Sequence, residues 1–334
     1  MIEQKKEQIS HPIAIPILDH TIALTKENAQ QYLSIYHGHP TNTINKIRSN
    51  SIKKININGR AEIEKDNSIL FIENYEKLAS ELKNSTVKLL QAGILYLSSN
   101  NSYRKETQRT IKNEVLFSLT EYMELRGLKD RKEARKQVES DLETIYNLSI
   151  GWKENSTKNE LNFDMMRICY RTSIDHRGNI LMSFSPEIAT YLVNAYELKI
   201  PKLYWKLKDK YNPNSSPLLW KISMHKKQNN QRKNENIISV RILLQNAPYI
   251  PSYQQIKEED RMYTRRIIEP LERDLYALEN TLTWEYCNSK GTPLTDKQLS
   301  NFAYPIFSKC YIKFNWKNYP QLETKKNRKK VPRK

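Results

Sequence analysis

The stretch LTEYMELRGLKDRKEARKQVESDLETIYN, residues 119–147, admits few folds. It reads as two helices joined by a tight turn. Thr120 is placed to cap a short helix ending at Arg126, with Gly127 as the left-handed residue just beyond. Asp130 offers a second cap, and Glu133 three residues on completes a capping box. Ala134, Val138, Leu142 and Ile145 follow at steps of four, four and three, one apolar stripe that needs burial. The opposite face of the first turns holds Arg131, Lys132, Arg135 and Lys136, while Glu139, Asp141 and Glu143 lie toward the C-terminus. Cations at a helix N-terminus oppose the macrodipole, at a cost on the order of a few tenths of a kcal/mol each. A packed helix with its basic N-terminal half turned outward is what a helix-turn-helix needs to meet phosphates and a major groove. The plain alternative is a solvated charged face.

The rest of the chain weighs between the two. Its 334 residues suffice for two domains of ordinary size. A net charge of +18, from 55 Lys and Arg against 37 Asp and Glu, favours a polyanionic partner, nucleic acid or an anionic membrane. Abundant Asn, Lys and Ile fit an AT-rich coding sequence, which accounts for part of the lysine but not for the lagging Asp and Glu. Cys169, Cys287 and Cys310 are far apart and form no Cys-x-x-Cys pair, so no disulfide framework or zinc site rests on them alone. Buried thiols are expected. MIEQKKEQIS has no apolar run behind its charges, and no stretch approaches the roughly 18 continuous apolar residues of a membrane span. The expectation is a soluble cytoplasmic protein without a membrane partner.

None of the seven glycines forms G-x-x-x-x-G-K or G-x-G-x-x-G, so neither phosphate-cradling loop is present. The six histidines have no clustered carboxylates. No catalytic, cofactor-binding or metal-ligating residue is assigned, and a non-enzymatic protein is expected. His37-Gly38-His39-Pro40 invites one exception, since rolling-circle nicking enzymes hold a metal with two histidines at this spacing. Gly38 and Pro40 favour a helix-terminating turn there over the interior of a strand.

Along the chain, the HPIAIPIL segment reads as extended, and Thr25 as the cap of a short helix through Ile35. Runs at Ile52–Ile57, Ala61–Lys65 and Ile69–Ile72 around Asn58-Gly59 predict a small β-meander. Ser85 is placed to cap a helix with Val87, Leu90, Ile94 and Leu97 on its core face, followed by a polar loop over 100–107. Val115, Phe117 and Leu119 lead into the paired helices. Leu148–Trp152, Leu161–Tyr170 and Asn179–Phe184 read as strands, and Ser185-Pro186 opens a helix through Tyr196. Helix, strand, helix, turn, basic helix and β-ribbon is the order of a winged helix. The order recurs: a helix from Ser216-Pro217, a short strand and helix over 238–244, a long helix over 259–279, and strands at Leu282–Cys287 and Cys310–Trp316. Between these strands come Lys290-Gly291 and a short helix, Thr295–Asn301. Ile267, Ile268, Leu271, Leu275 and Leu278 form the core side of the second long helix, and Arg261, Arg265 and Arg266 occupy its first turns. Pro270 inside that pattern should kink or restart it. Tyr204, Trp205, Trp220, Trp284 and Trp316 read as core. The tail TKKNRKKVPRK, seven basic residues in eleven, reads as a disordered general phosphate binder.

FSLTEYMELRGLKDRKEARKQVESDLETIYNLSI resembles the first winged helix of the Rep-type initiators of iteron-bearing plasmids. FSPEIATYLVNAYELKIPKLYWKLKDKYNPNSSPLLWKISMH resembles that family's link between domains, and PSYQQIKEEDRMYTRRIIEPLERDLYALENTLTWEY its second recognition helix. The similarity spans about Ser85 to Pro320. It implies a tandem winged-helix initiator that binds repeated origin sites, often as a monomer, and dimerises to repress or to couple origins.

The expected fold class is therefore α+β. Two tandem winged-helix domains, 81–197 and 198–320, follow an N-terminal extension of residues 1–80 and precede a basic tail, 321–334. The expected DNA-contacting residues are Lys129, Arg131, Lys132, Arg135 and Lys136 in the first domain and Arg261, Thr264, Arg265, Arg266 and Lys290 in the second. Partners implied are double-stranded origin DNA, host initiator and replicative helicase, and a second copy of the chain. The main alternative is a winged-helix transcriptional repressor. A DNA-bridging or partition protein and a nicking initiator using His37 and His39 stand behind it.

Overall fold

In the computed structural model the described residues are 32–37, 54–55, 59, 61–65, 68–72, 74, 76–77, 82–101, 110–155, 161–254, 256, 262–299 and 303–320. Readings made for residues 11–31, for 102–107, for Arg261 and for the basic tail lie outside them.

The first described element corrects the sequence reading. Tyr32–His37 is a strand, β1, not the end of a helix. Tyr32, Leu33, Ile35 and Tyr36 are all buried, and the backbone N–H of Tyr36 donates to Ser98 Oγ at 2.8 Å. A short apolar run covered on both faces gives no periodicity to separate strand from helix. The meander follows as β2 (Lys54–Ile55), β3 (Ala61–Lys65) and β4 (Ser68–Ile72), with Gly59 at φ +73° before β3.

Helix α1 (Asn84–Asn101) begins two residues earlier than a cap at Ser85 implies and is buried nearly all round. Strand β5 (Glu114–Ser118) runs directly into α2 (Leu119–Arg126). Its cap is Ser118, not Thr120. Ser118 Oγ accepts from the Glu121 backbone N–H at 3.1 Å while a Glu121 carboxylate oxygen accepts from the Ser118 N–H at 2.6 Å, a complete capping box. Gly127, at φ +65°, ends the helix as expected. Asp130 caps α3 (Arg131–Tyr146) at 2.9 Å, and Ala134, Val138, Leu142 and Ile145 are its buried stripe.

The strands after α3 divide differently from the expectation. β6 (Ser149–Asn155) and β7 (Leu161–Arg167) leave the winged helix and extend the meander into a five-stranded sheet, β2-β3-β4-β6-β7. Ile168 breaks the run: it is buried, its N–H bonds Leu148 O and its carbonyl accepts from Ser185. The wing is instead β8 (Cys169–Ile174) with β9 (Asn179–Phe184), and β9 pairs with β5. Helix α4 (Pro186–Asn194) stops short of Tyr196, which opens β10 (Tyr196–Pro201), the partner of β1.

After α5 (Leu203–Lys206), the scheme repeats in α6 (Ser215–Gln228), β11 (Ile237–Ser239), α7 (Val240–Gln245) and a helix that is π over Thr264–Ile268 and α8 from Glu269 to Tyr276. Then come β12 (Leu282–Cys287), α9 (Asp296–Leu299), α10 (Tyr304–Phe307) and β13 (Tyr311–Trp316). The sheet orders are β5-β9-β8 and β11-β13-β12, each with the entering strand against the last one. Ser118 and Ser239 end the entering strands and cap the next helices. Ile267, Leu271, Leu275 and Leu278 are buried at the same four, four and three steps as the α3 stripe. The fold is α+β and internally repeated.

Each long helix also buries a carboxylate that ties it to the start of its domain's first helix. Asp141 Oδ1 accepts from Thr86 Oγ1 at 2.6 Å and Ser85 Oγ at 3.1 Å. Asp274 Oδ2 accepts from the Asn214 side-chain amide at 2.7 Å and its backbone N–H at 3.1 Å. Burial raises both carboxyl pKa values above 3.8, against the lowering effect of those hydrogen bonds.

A buried ion pair joins the two repeats. Lys88 of α1 is 0% exposed, and its ammonium donates to Leu207 O at 2.8 Å and to both Asp209 oxygens at 2.7 and 2.8 Å. Asp209 also accepts from Ser216 of α6 at 3.2 Å and lies 3.5 Å from Arg126. Strand β1 reaches the second repeat as well, with Tyr32 donating to Lys317 O at 3.1 Å and packing edge-on to Tyr319.

Lys88→Met should destabilise the chain by about 3 kcal/mol in urea denaturation, since it strands a partly buried carboxylate that keeps only Arg126 and Ser216. For Asp141 and Asp274 the folded pKa exceeds the unfolded one, so protonation favours the fold. Their contribution to stability should rise as pH falls through the folded pKa toward 3.8. In Asp141→Asn, whose amide oxygen still accepts from Ser85 and Thr86, that gain on acidification should shrink in pH-dependent denaturation.

Candidate nucleic-acid interface

On the first recognition helix the expected basic residues divide into two sets. Lys129, Lys132 and Lys136 are exposed, and Lys136 approaches only Glu133, at 3.8 Å and 65–70% exposure, a pair worth little. Arg131 and Arg135 are turned toward the wing. Arg131 Nη1 donates to Thr120 Oγ1 at 2.9 Å and its Nη2 to Arg177 O at 3.3 Å. Arg135 Nη2 donates to Asp175 O at 2.9 Å, with His176 O at 3.5 Å, and its Nε to Glu139 at 2.9 Å. Glu133 supplies no reciprocal cap.

The wing turn these arginines meet is tightly determined. Gly178 N–H donates to Asp175 O and Asp175 N–H to Asn179 O, both at 3.0 Å. The Asp175 carboxylate accepts from the Asn179 backbone at 2.8 Å and side chain at 2.7 Å, which holds its pKa below the usual value. Gly178 sits at φ +90°, and a Cβ there would meet Arg131 Nη2 at 3.0 Å and Leu119 Cβ at 3.3 Å. The side chains of His176 and Arg177 are exposed at the tip.

On the second recognition helix Thr264 and Arg265 are exposed and Arg266 is half-buried. Arg261 lies outside the described residues. Pro270 does not break the helix. It has no N–H for the carbonyl four residues back, and the ladder preceding it is π, with Glu269 N–H donating to Thr264 O. The π turn shifts the arginines relative to the buried stripe by a fraction of a turn.

Lys290 stands in the turn that follows β12 and is exposed. That turn repeats the first wing: Asn288 N–H bonds Thr292 O at 3.0 Å, Gly291 N–H bonds Asn288 O at 3.0 Å, and Asn288 Oδ1 accepts from Thr292 N–H at 3.1 Å. Gly291 is at φ +84°. Asp175-His-Arg-Gly-Asn and Asn288-Ser-Lys-Gly-Thr thus share an Asx, a basic residue two further on and a left-handed Gly. Arg177 is the counterpart of Lys290, and aligning the two turns in sequence would have found it.

Of the other residues singled out, Tyr204, Trp205 and Trp220 are buried, whereas Trp284 and Trp316 are half-buried, Trp284 packing 5.1 Å from Tyr276 and 5.3 Å from Tyr286. Cys169, Cys287 and Cys310 are buried and free. His37 ends the strand β1, opposite Tyr196, and not a helix; Gly38 to Pro40, where the turn was expected, lie outside the described residues. No helix among the described residues is long and apolar enough to cross a membrane.

No curated protein matches the chain in sequence. Among solved structures, domains 2 and 3 of RctB align at 13% identity over 83% of this chain and 98% of that one, with a TM-score of 0.47. The Pi initiator protein in complex with iteron DNA aligns at 12% identity over 77% of this chain and 100% of that one, with a TM-score of 0.46. Residues 77–204, which hold α1, the capped helix pair and the wing, match the family described as Initiator Replication protein, WH1. Over those residues the chain is similar to that replication-initiator domain.

Proposed function

We propose that this initiator binds repeated sequences at a replication origin with both winged helices, one per recurrent unit, as the iteron complex of the Pi initiator suggests. The observation that carries the reading is the duplicated unit itself. Two sheets of the same strand order each support a recognition helix with the same buried spacing and basic residues near its start, mostly exposed in the first and exposed (Arg265) or half-buried (Arg266) in the second. A single domain reads one half-site; two on one chain read a longer site, and repeats of that site recruit further copies. The division into 81–197 and 198–320, with 1–80 as an extension and 321–334 as a general phosphate-binding tail, follows this reading.

Lys132, Lys136 and Lys129 suit phosphates, as point charges on flexible stems. Arg265, with Thr264 and Arg266 beside it, suits base edges, since a guanidinium bonds guanine O6 and N7 together. Lys290 suits the backbone beside the second helix. Nothing in this arrangement requires bond-making chemistry, and initiation then proceeds by recruiting host initiator and helicase, with dimers repressing or coupling origins. The protein acts in the cytoplasm on plasmid DNA. A repressor would use the same domains, and autonomous replication separates the two.

Selection of duplexes from a random pool by the full-length chain should return a recurring site that is present as direct repeats beside its own gene. That gene with its flanking DNA should persist in a host otherwise unable to maintain it. Arg265→Ala should weaken binding by about 1–3 kcal/mol and relax one position of the site. Affinity should fall steeply with salt, with a log–log slope of about 0.9 per phosphate contacted. Unchanged preference in Arg265→Ala removes that residue from the base-reading set.

A further inference from the structure

Two of the residues that charge alone assigns to DNA do something else. Arg131 and Arg135 leave the recognition helix sideways and donate to main-chain oxygens of the wing turn. We propose that they are positioning residues that lock this turn against the recognition helix, and that Arg177 at its tip is a DNA-backbone contact of the first domain. The proposal rests on the DNA-binding reading above and assigns it a residue that no charge run in the sequence marks.

Arg131 joins α2, α3 and the wing through one planar group, with Nη1 on Thr120 and Nη2 on Arg177 O. A guanidinium spans two acceptors in fixed directions, which an ammonium on a flexible stem does not reproduce. Arg135 donates to the Asp175 carbonyl that also receives the Gly178 N–H, so the tie falls on the bond that closes the turn. Gly178 leaves room for the Arg131 guanidinium where any other residue would crowd it.

What the lock presents is cationic. Asp175, the one acid of the turn, is spent on Asn179, and Glu139 on Arg135. The Arg177 side chain is exposed and makes no hydrogen bond or ion pair among the described residues. Its counterpart Lys290 occupies the same place in the same turn of the second repeat. The lock itself is not repeated. Matching the two buried stripes sets Arg131 against Thr264 and Arg135 against the buried Ile268, and neither can donate as a guanidinium does. Among the described residues, those two positions therefore offer the second wing no such guanidinium tie.

The test uses the full-length chain and a short mixed-sequence duplex, with affinity measured across a salt series. Arg177→Ala should lose several-fold in affinity and lower the salt slope by about 1, a readout that a merely structural residue does not move. Arg131→Lys, which keeps the charge, should lose as much, and Thr120→Val should lose part of it by removing an Arg131 partner. The Arg131→Lys/Arg177→Ala double variant should be no weaker than Arg177→Ala alone. An unchanged slope in Arg177→Ala, wild-type binding by Arg131→Lys, or losses that add in the double variant would each overturn the proposal. Failure of the wild-type chain to bind the duplex would instead strike at the DNA-binding reading itself.

Discussion

The arrangement of the described residues depends on one buried charge. Lys88 sits inside the first winged helix with no exposed surface, where an unpaired ammonium would cost several kcal/mol. All three of its protons are taken, two by Asp209 and one by the Leu207 carbonyl. These acceptors belong to the segment that leaves the first repeat and enters the second. The partners therefore cannot separate without exposing or orphaning the charge, and the connection between the domains becomes part of the first domain's core. Arg126 reinforces it, donating to Trp205 O at 3.0 Å and to Tyr122 at 2.8 Å. An apolar joint would hold as well. A buried ion pair adds direction, since few placements satisfy every donor.

The same economy of position explains why the two repeats look unrelated by residue identity. Each needs a serine where the entering strand becomes a helix, an acid inside the recognition helix, a four-four-three stripe and an Asx-x-basic-Gly turn. Within those limits Ala134 stands where Ile267 does, and Ser85 and Thr86 where Asn214 does. Packing and hydrogen-bond valence are repeated; side chains are not.

Legibility in the sequence tracked how local the determining physics is. The helix pair, its Gly127 stop, the Asp130 cap and both buried stripes follow from contacts within a few residues. They were readable as such. Ser118 displaced Thr120 as cap because Glu121, at the third helical position, answers it and Thr120 is engaged by Arg131. Strand β1 was not readable, since Tyr-Leu-Ser-Ile-Tyr owes its conformation to β10, more than 150 residues away in the chain. Nor was the departure of β6 and β7, since β6 pairs with β4, far back in the chain, and β7 with β6. For the interface, charge was legible and direction was not. The local basic cluster located the recognition helix, but only the fold decided that two of its arginines turn to backbone carbonyls, and only the repeated turn drew attention to Arg177.

That difference in direction bears on how two similar domains can do unequal work. In the first, arginines on the recognition helix donate to wing-turn carbonyls, and on the proposed reading helix and wing would meet a duplex as one surface with little left to order on binding. In the second, the helix begins in a π turn with Thr264 and Arg265 exposed, and its wing is interrupted by α9 and α10 before β13 closes the sheet. π turns recur where function requires a side chain re-aimed relative to the buried stripe. On the proposed reading, the first domain supplies register through phosphates, and the second, with Arg265 exposed, supplies discrimination among bases. The buried Lys88–Asp209 joint makes these complementary, because register set by one domain is useful to the other only if the connection between them does not slacken.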